Sequence, residues 1–232
     1  MNIKILIAII VFPCAFYVVA QERRSNPEMH ALIQECQQQK GDMDQIQFVW
    51  WIPSEMWEMV FDQSDEITDE MKESVMTVMR KYVIVAINFS RIEGELENAQ
   101  VITRTKEDLF KKIYISQGSE KIKPLADQAV DENLMFMLNS MKPFFKNLLG
   151  DFGNGIHFFV FEDVDASGAR LIDPKIDGTF KLKVEEVEFM WSLPLDFYQN
   201  RKICPIDSEP MNKDWNYCPI HGEKLEQVTI EK

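Results

Sequence analysis

Thr179-Phe180-Lys181-Leu182-Lys183-Val184-Glu185-Glu186-Val187-Glu188-Phe189-Met190-Trp191 is the stretch on which the fold reading turns. Its apolar residues fall at even positions (Phe180, Leu182, Val184) and then at odd ones (Val187, Phe189, Trp191). Alternation therefore holds on each side of Glu185-Glu186, but the phase changes between them. Period-two alternation marks a half-buried strand, and one extra residue restores the phase of a strand that would otherwise turn half its apolar face to water. The spacing predicts a strand over 179–191 with a β-bulge at Glu185-Glu186.

Working outward, residues 156–161 read as another strand, and the β-branched run at 83–89 as a strand buried on both faces. Residues 45–52 and 109–115 complete the set, the latter because Leu109, Lys111, Ile113 and Ile115 alternate with Phe110, Lys112 and Tyr114. Helices lie between them. Ser25-Asn26-Pro27 is a start signal followed by Met29, Leu32, Ile33 and Cys36 on one face, with Gly41 as the stop. Pro53-Ser54-Glu55 opens a second helix, and Thr68 with Asp69 and Glu70 a third. Residues 131–149 form a fourth, bent or interrupted at Pro143 and ended by Gly150. Hairpin-like strand pairs interspersed with helices predict an α+β fold, a mainly antiparallel sheet packed with three to four helices. No internal repeat or low-complexity stretch stands out.

The first twenty residues read as a targeting segment: Lys4, then an almost wholly apolar run, then the small residue Ala20. Export to a periplasmic or extracellular space is the expectation, with an uncleaved membrane anchor over 5–20 as the alternative. The organisation expected is a signal peptide at 1–20, a globular domain at 25–198 and a small C-terminal segment at 199–225. With 38 acidic against 25 basic side chains the net charge is −13. A field of that sign repels phosphate backbones and anionic lipid heads, which disfavours nucleic acid as a partner, and a membrane unless the N-terminal segment anchors there. It suits cationic partners or metal ions, or simply solubility.

Past Leu193-Pro194-Leu195 the composition shifts to turn formers, and Cys204-Pro205-Ile206-Asp207 is followed by Cys218-Pro219-Ile220-His221-Gly222. This segment resembles a zinc ribbon, in which two Cys-Pro-x-Cys turns each present a pair of ligands to one tetrahedral zinc. Asp207 and His221 stand where that family has its second cysteines, so the resemblance implies a zinc site of Cys204, Asp207, Cys218 and His221. Three states stay open: zinc, a Cys204–Cys218 disulfide favoured by an oxidising compartment, or neither. Cys36 reads as a buried thiol on a helix face.

Other motifs carry less. Asp163, Asp165 and Ser167, with Gly168, alternate like a calcium loop, but Pro174 stands where a bidentate glutamate is needed, and a tight turn accounts for them better. Trp50, Trp51, Trp57, Trp191 and Trp215 read as core more than as a ligand surface. Asn88-Phe89-Ser90 matches a glycosylation acceptor inside an expected strand. His30 and His157 form no recognisable catalytic pairing. The function expected is an exported, non-enzymatic binding or interaction protein of unknown ligand. The alternative is a metal-dependent hydrolase using the Cys/His site, and no catalytic residue can be assigned.

Overall fold

Glu185 and Glu186 form the turn of a β-hairpin and not a bulge. In the computed structural model, which describes residues 27–228 except 43, 65–66, 95–99, 118–119, 166, 200 and 212–214, the chain reverses there, and β8 (Gly178–Val184) pairs antiparallel with β9 (Val187–Leu193). Val184 stands opposite Val187, Leu182 opposite Phe189 and Phe180 opposite Trp191. A two-residue reversal changes the parity of the inward positions just as a bulge does, so the phase change alone does not separate the two. Glu185 adopts φ 54°, the left-handed region that two-residue hairpin turns require at their first central residue. The segment 1–20 lies outside the described residues, and no described helix is long and apolar enough to cross a membrane.

The element order is α1 (Pro27–Cys36), β1 (Gln37–Lys40), β2 (Gln45–Ile52), α2 (Ser54–Phe61), α3 (Asp69–Met79), β3 (Tyr82–Glu93), β4 (Gln100–Thr103), α4 (Lys106–Phe110), β5 (Ile113–Gln117), β6 (Glu120–Ile122), α5 (Glu132–Leu149), α6 (Asp151–Asn154) and β7 (His157–Glu162), then β8 and β9. Every strand pairing described is antiparallel. The fold is α+β, as expected, with the strands shared among separate sheets. The first has β1-β2-β3-β4 with β7 also on β3; the second runs β6-β5-β8-β9. The helices exceed the expected number because α4 and α6 are single short turns.

Residue parity on the strands sets the layers. On β2 and β3, Trp51, Val85, Ile87 and Phe89 share a face and meet the second sheet: Trp51 lies edge-on to Phe180 and Trp191, and Phe89 edge-on to Phe189. Phe48, Trp50, Ala86 and Asn88 share the opposite face, where Trp50 meets Phe145 of α5 and Phe48 meets Phe152 of α6. The first sheet is thus sandwiched between helices and the second sheet, which explains why 83–90 is buried throughout. The tryptophan reading holds for Trp51, Trp57 and Trp191, all within 3% of complete burial, whereas Trp215 is exposed.

Three local expectations change. The first helix ends at Cys36 and runs directly into β1, and Gly41 turns β1 into β2 at φ 109°, where a Cβ would stand 2.1 Å from the Gln45 carbonyl oxygen. The alternation at 109–115 is half helix: Thr105 Oγ1 accepts from the Asp108 amide and caps α4, and only from Ile113 does the chain extend. α5 runs unbroken through Pro143, which stands on its exposed side.

A buried ion cluster ties α2 to the loop after β7. Arg170 Nη1 donates to Glu55 Oε1 at 2.5 Å and its Nε to Asp163 Oδ2 at 3.0 Å, while Asp163 Oδ1 accepts from the Ile172 amide at 2.8 Å. Asp165 Oδ1 accepts from the amide and hydroxyl of Ser167 and from the Ala169 amide. The oxygens of the calcium-like motif are therefore engaged within the protein. Burial pushes the Asp163 carboxyl up to about 6, against the downward pull of Arg170, with Glu55 adding to the rise. Because that value exceeds the unfolded one, the contribution to stability is complete below pH ~4 and is lost as pH rises through ~6, a change of ~3 kcal/mol for a fully buried group. Carbon-detected NMR titration of the Asp163 carboxyl should give a midpoint near 6; a midpoint below 4 would contradict this electrostatic picture.

Candidate metal centre

Beyond the main core, β10 (Arg201–Ile203) pairs with β11 (Pro210–Met211) on one side and β12 (Glu226–Val228) on the other. Strands of two or three residues are too short to show alternation, which is why 199–225 reads as loop in the sequence. This little sheet has its own buried cluster of Cys204, Cys218 and Leu225, with Met211 against it. Three buried residues are far too few to fold a segment of this length unaided.

Two turns project from the sheet, and they repeat one another. Cys-Pro-Ile-Asp-Ser-Glu at 204–209 and Cys-Pro-Ile-His-Gly-Glu at 218–223 share four of six residues, a short repeat that the sequence reading passed over. Their backbones match as well. The Cys204 amide donates to the Glu209 carbonyl at 3.0 Å and Ser208 back to Cys204 at 2.8 Å; Cys218 donates to Glu223 at 2.7 Å and Gly222 back to Cys218 at 2.8 Å. The fifth residue of each turn is left-handed, with φ 59° at Ser208 and 70° at Gly222. Glycine adopts that region freely, whereas a residue with a Cβ loses ~1–2 kcal/mol there, so Ser208 is held by its surroundings.

Each turn aims backbone N–H groups at its cysteine sulfur. The amides of Ile206 and Asp207 face Cys204, and those of Ile220 and His221 face Cys218, the last with N to Sγ at 3.4 Å. Such donors favour a thiolate over a thiol. Burial opposes the charged form at Cys218, but the two amides together with Cys204 and His221 outweigh it and hold this thiol below its ordinary value. At Cys204 burial prevails, with Asp207 and Cys218 adding to it, and the thiol is raised. One thiol of the pair is thus poised to ionise first.

His221 closes the arrangement. Its Nδ1 lies 3.4 Å from Cys204 Sγ and 3.6 Å from Cys218 Sγ, and the three donor atoms all lie within 4.8 Å of one another. Among the described residues this is the one convergence of three or more such donors, and it can hold a metal ion. Sulfur and nitrogen ligands at their usual distances from a tetrahedral zinc stand ~3.6 Å apart, so the spacing fits such an ion. Asp207 sits at the edge: Oδ2 is 3.6 Å from His221 Nδ1, while Oδ1 accepts from the Glu209 amide at 3.1 Å. That amide, aided by Cys204 and His221, lowers its pKa and keeps it a carboxylate.

The remaining sequence candidates lie elsewhere and apart. Asp163 and Asp165 are committed as described above. His157 Nε2 donates to the Arg104 carbonyl oxygen, just past β4, at 3.0 Å, and His30 sits on the exposed face of α1. Asn88 is fully buried with its Nδ2 donating to the Phe152 carbonyl, so the glycosylation motif is enclosed in the folded sheet. Cys36 is buried, and burial, with Glu35 and Glu55, pushes its thiol well up. Comparison with protein-family models, characterised proteins and solved structures gives no match to this chain.

Proposed function

We propose that this is an exported, non-enzymatic binding or interaction protein whose C-terminal segment is folded around one structural zinc ion. The observation that carries the zinc assignment is the placement of His221 Nδ1 at 3.4 and 3.6 Å from two sulfurs, each presented by the same six-residue turn. A disulfide uses the two sulfurs and has no need of an imidazole midway between them, nor of amides that favour the thiolates. Cys204, Cys218 and His221 are the ligands, with Asp207 as the fourth. The role is structural because the segment has almost no core of its own, and metal affinity in such a case is folding free energy. Export rests on the apolar run at residues 5–19 and the small residue Ala20.

Cobalt(II) titration of the chelator-treated, reduced protein tests this reading. One equivalent should produce intense visible bands of a tetrahedral thiolate site, abolished by stoichiometric zinc. Weak octahedral bands, or none, would sink it.

A further inference from the structure

The acidic chain carries a sharply basic hollow, far in character from its average. Arg104, Lys111, Lys112, Lys123 and Lys183 line a cavity of 470 Å³ floored by Tyr114, with Glu185 and Glu186 as its acidic members. Five cations against two carboxylates is the reverse of a sequence holding 38 acidic and 25 basic side chains. Strand parity builds it: Tyr114 of β5 pairs with Lys183 of β8, which puts both on the solvent face while Ile113, Ile115, Leu182 and Val184 point into the core. Lys121 of β6 and Lys123, just past its end, hold their ammonium groups 4.6 and 5.2 Å from the Tyr114 ring centre.

The carboxylates leave much of this charge uncompensated. Glu185 is shared between Lys112 at 3.1 Å and Arg104 at 3.6 Å, and Glu186 reaches Lys183 at 3.7 Å from a side chain 96% exposed. Among the described residues, neither Lys111 nor Lys123 has a carboxylate within ion-pair distance. Like charges gathered round one hollow repel, and an acidic chain has ample carboxylates with which to relieve them.

We propose that this hollow is a binding site for a small soluble polyanion, a molecule bearing two or more phosphate or carboxylate groups. The volume lies within the range of small-ligand sites, and the lining offers charge in place of the usual apolar wall. A long nucleic-acid backbone does not fit, because the rest of the −13 surface repels it. This inference rests on the main domain being a binding module and is independent of the metal, since no residue of the 204–223 turns lines the cavity.

The test is isothermal titration of the full-length protein at physiological salt with tripolyphosphate and with citrate. Either should bind with a dissociation constant below ~1 mM, weakening as ionic strength rises. Lys111→Ala/Lys123→Ala should weaken it at least ~10-fold, while Lys72→Ala, outside the hollow, should leave it unchanged. Glu186→Gln should tighten it, a change of opposite sign that loss of folding cannot imitate. Absence of binding by both anions, or equal weakening by Lys72→Ala, overturns the proposal. A parallel thermal-shift screen with neutral and cationic small molecules separates two failures. A hit there with silent anions overturns only the ligand class, whereas silence throughout overturns the binding-module reading too.

Discussion

Arg170→Met is expected to lower the unfolding free energy at pH 7.5 by ~3–5 kcal/mol, measured by urea denaturation. The variant keeps the stem volume and removes the one cation between Glu55 and Asp163, whose side chains are only 8% and 1% exposed. Two orphaned buried carboxylates are costly to keep ionised, and that cost fades as falling pH lets them take up protons. The deficit should therefore shrink between pH 7.5 and pH 5. Adding Glu55→Gln and Asp163→Asn to the same variant should recover much of the loss, because neutral amides need only hydrogen bonds. A loss below ~1 kcal/mol at pH 7.5, typical of an exposed ion pair, would show that the cluster is hydrated in solution.

Cys218→Ser should produce the second large effect, confined to the C-terminal segment. Structural zinc contributes ~10–16 kcal/mol to the folding of small zinc domains, and a hydroxyl in place of a thiolate forfeits much of it. The segment around Cys204, Cys218 and Leu225 should open while the core from Met29 to Leu195 remains cooperative. Hydrogen exchange reads this directly: the Cys204, Ser208, Cys218 and Gly222 amides, bonded within the two turns, should lose protection, while those of β3 should keep it. Protection unchanged at both turns would mean that neither metal nor disulfide holds them.

Much of the fold was legible because the signals were local. The boundaries of β2 at Gln45 and Ile52 follow from a β-branched and aromatic run between turn formers, and Thr68 and Asp131 announce helix starts by capping chemistry that acts over three residues. Where two structures share one local pattern, the sequence could not choose. The parity change at Glu185-Glu186 suits a bulge or a hairpin, and only the pairing of β8 with β9 decides between them. Leu109 and Ile113 are four apart, an interval open to a helix, and even spacing through Ile115 made the same residues look extended. The division of strands between sheets, the meeting of Trp51 with Phe180 and the joining of Glu55 to Arg170 across 115 residues are tertiary facts with no local trace.

The metal site was legible in ligand type and spacing, yet its strongest feature went unread. The repeat of Cys-Pro-Ile with a glutamate closing each turn predicts two copies of one backbone conformation, and the matched hydrogen bonds at Glu209 and Glu223 bear that out. The basic hollow had a trace as well, in Lys183 between Leu182 and Val184, which strand parity sends to the face opposite the core. It was masked because an overall charge of −13 averages over the surface and conceals a patch of the opposite sign.

The zinc assignment can be decided by a native mass spectrum of the purified, unreduced protein, compared with its denatured mass. One zinc per chain, lost on denaturation to leave Cys204 and Cys218 as free thiols, is the result this account predicts. A metal-free chain two hydrogens lighter, with those two cysteines joined, would contradict it.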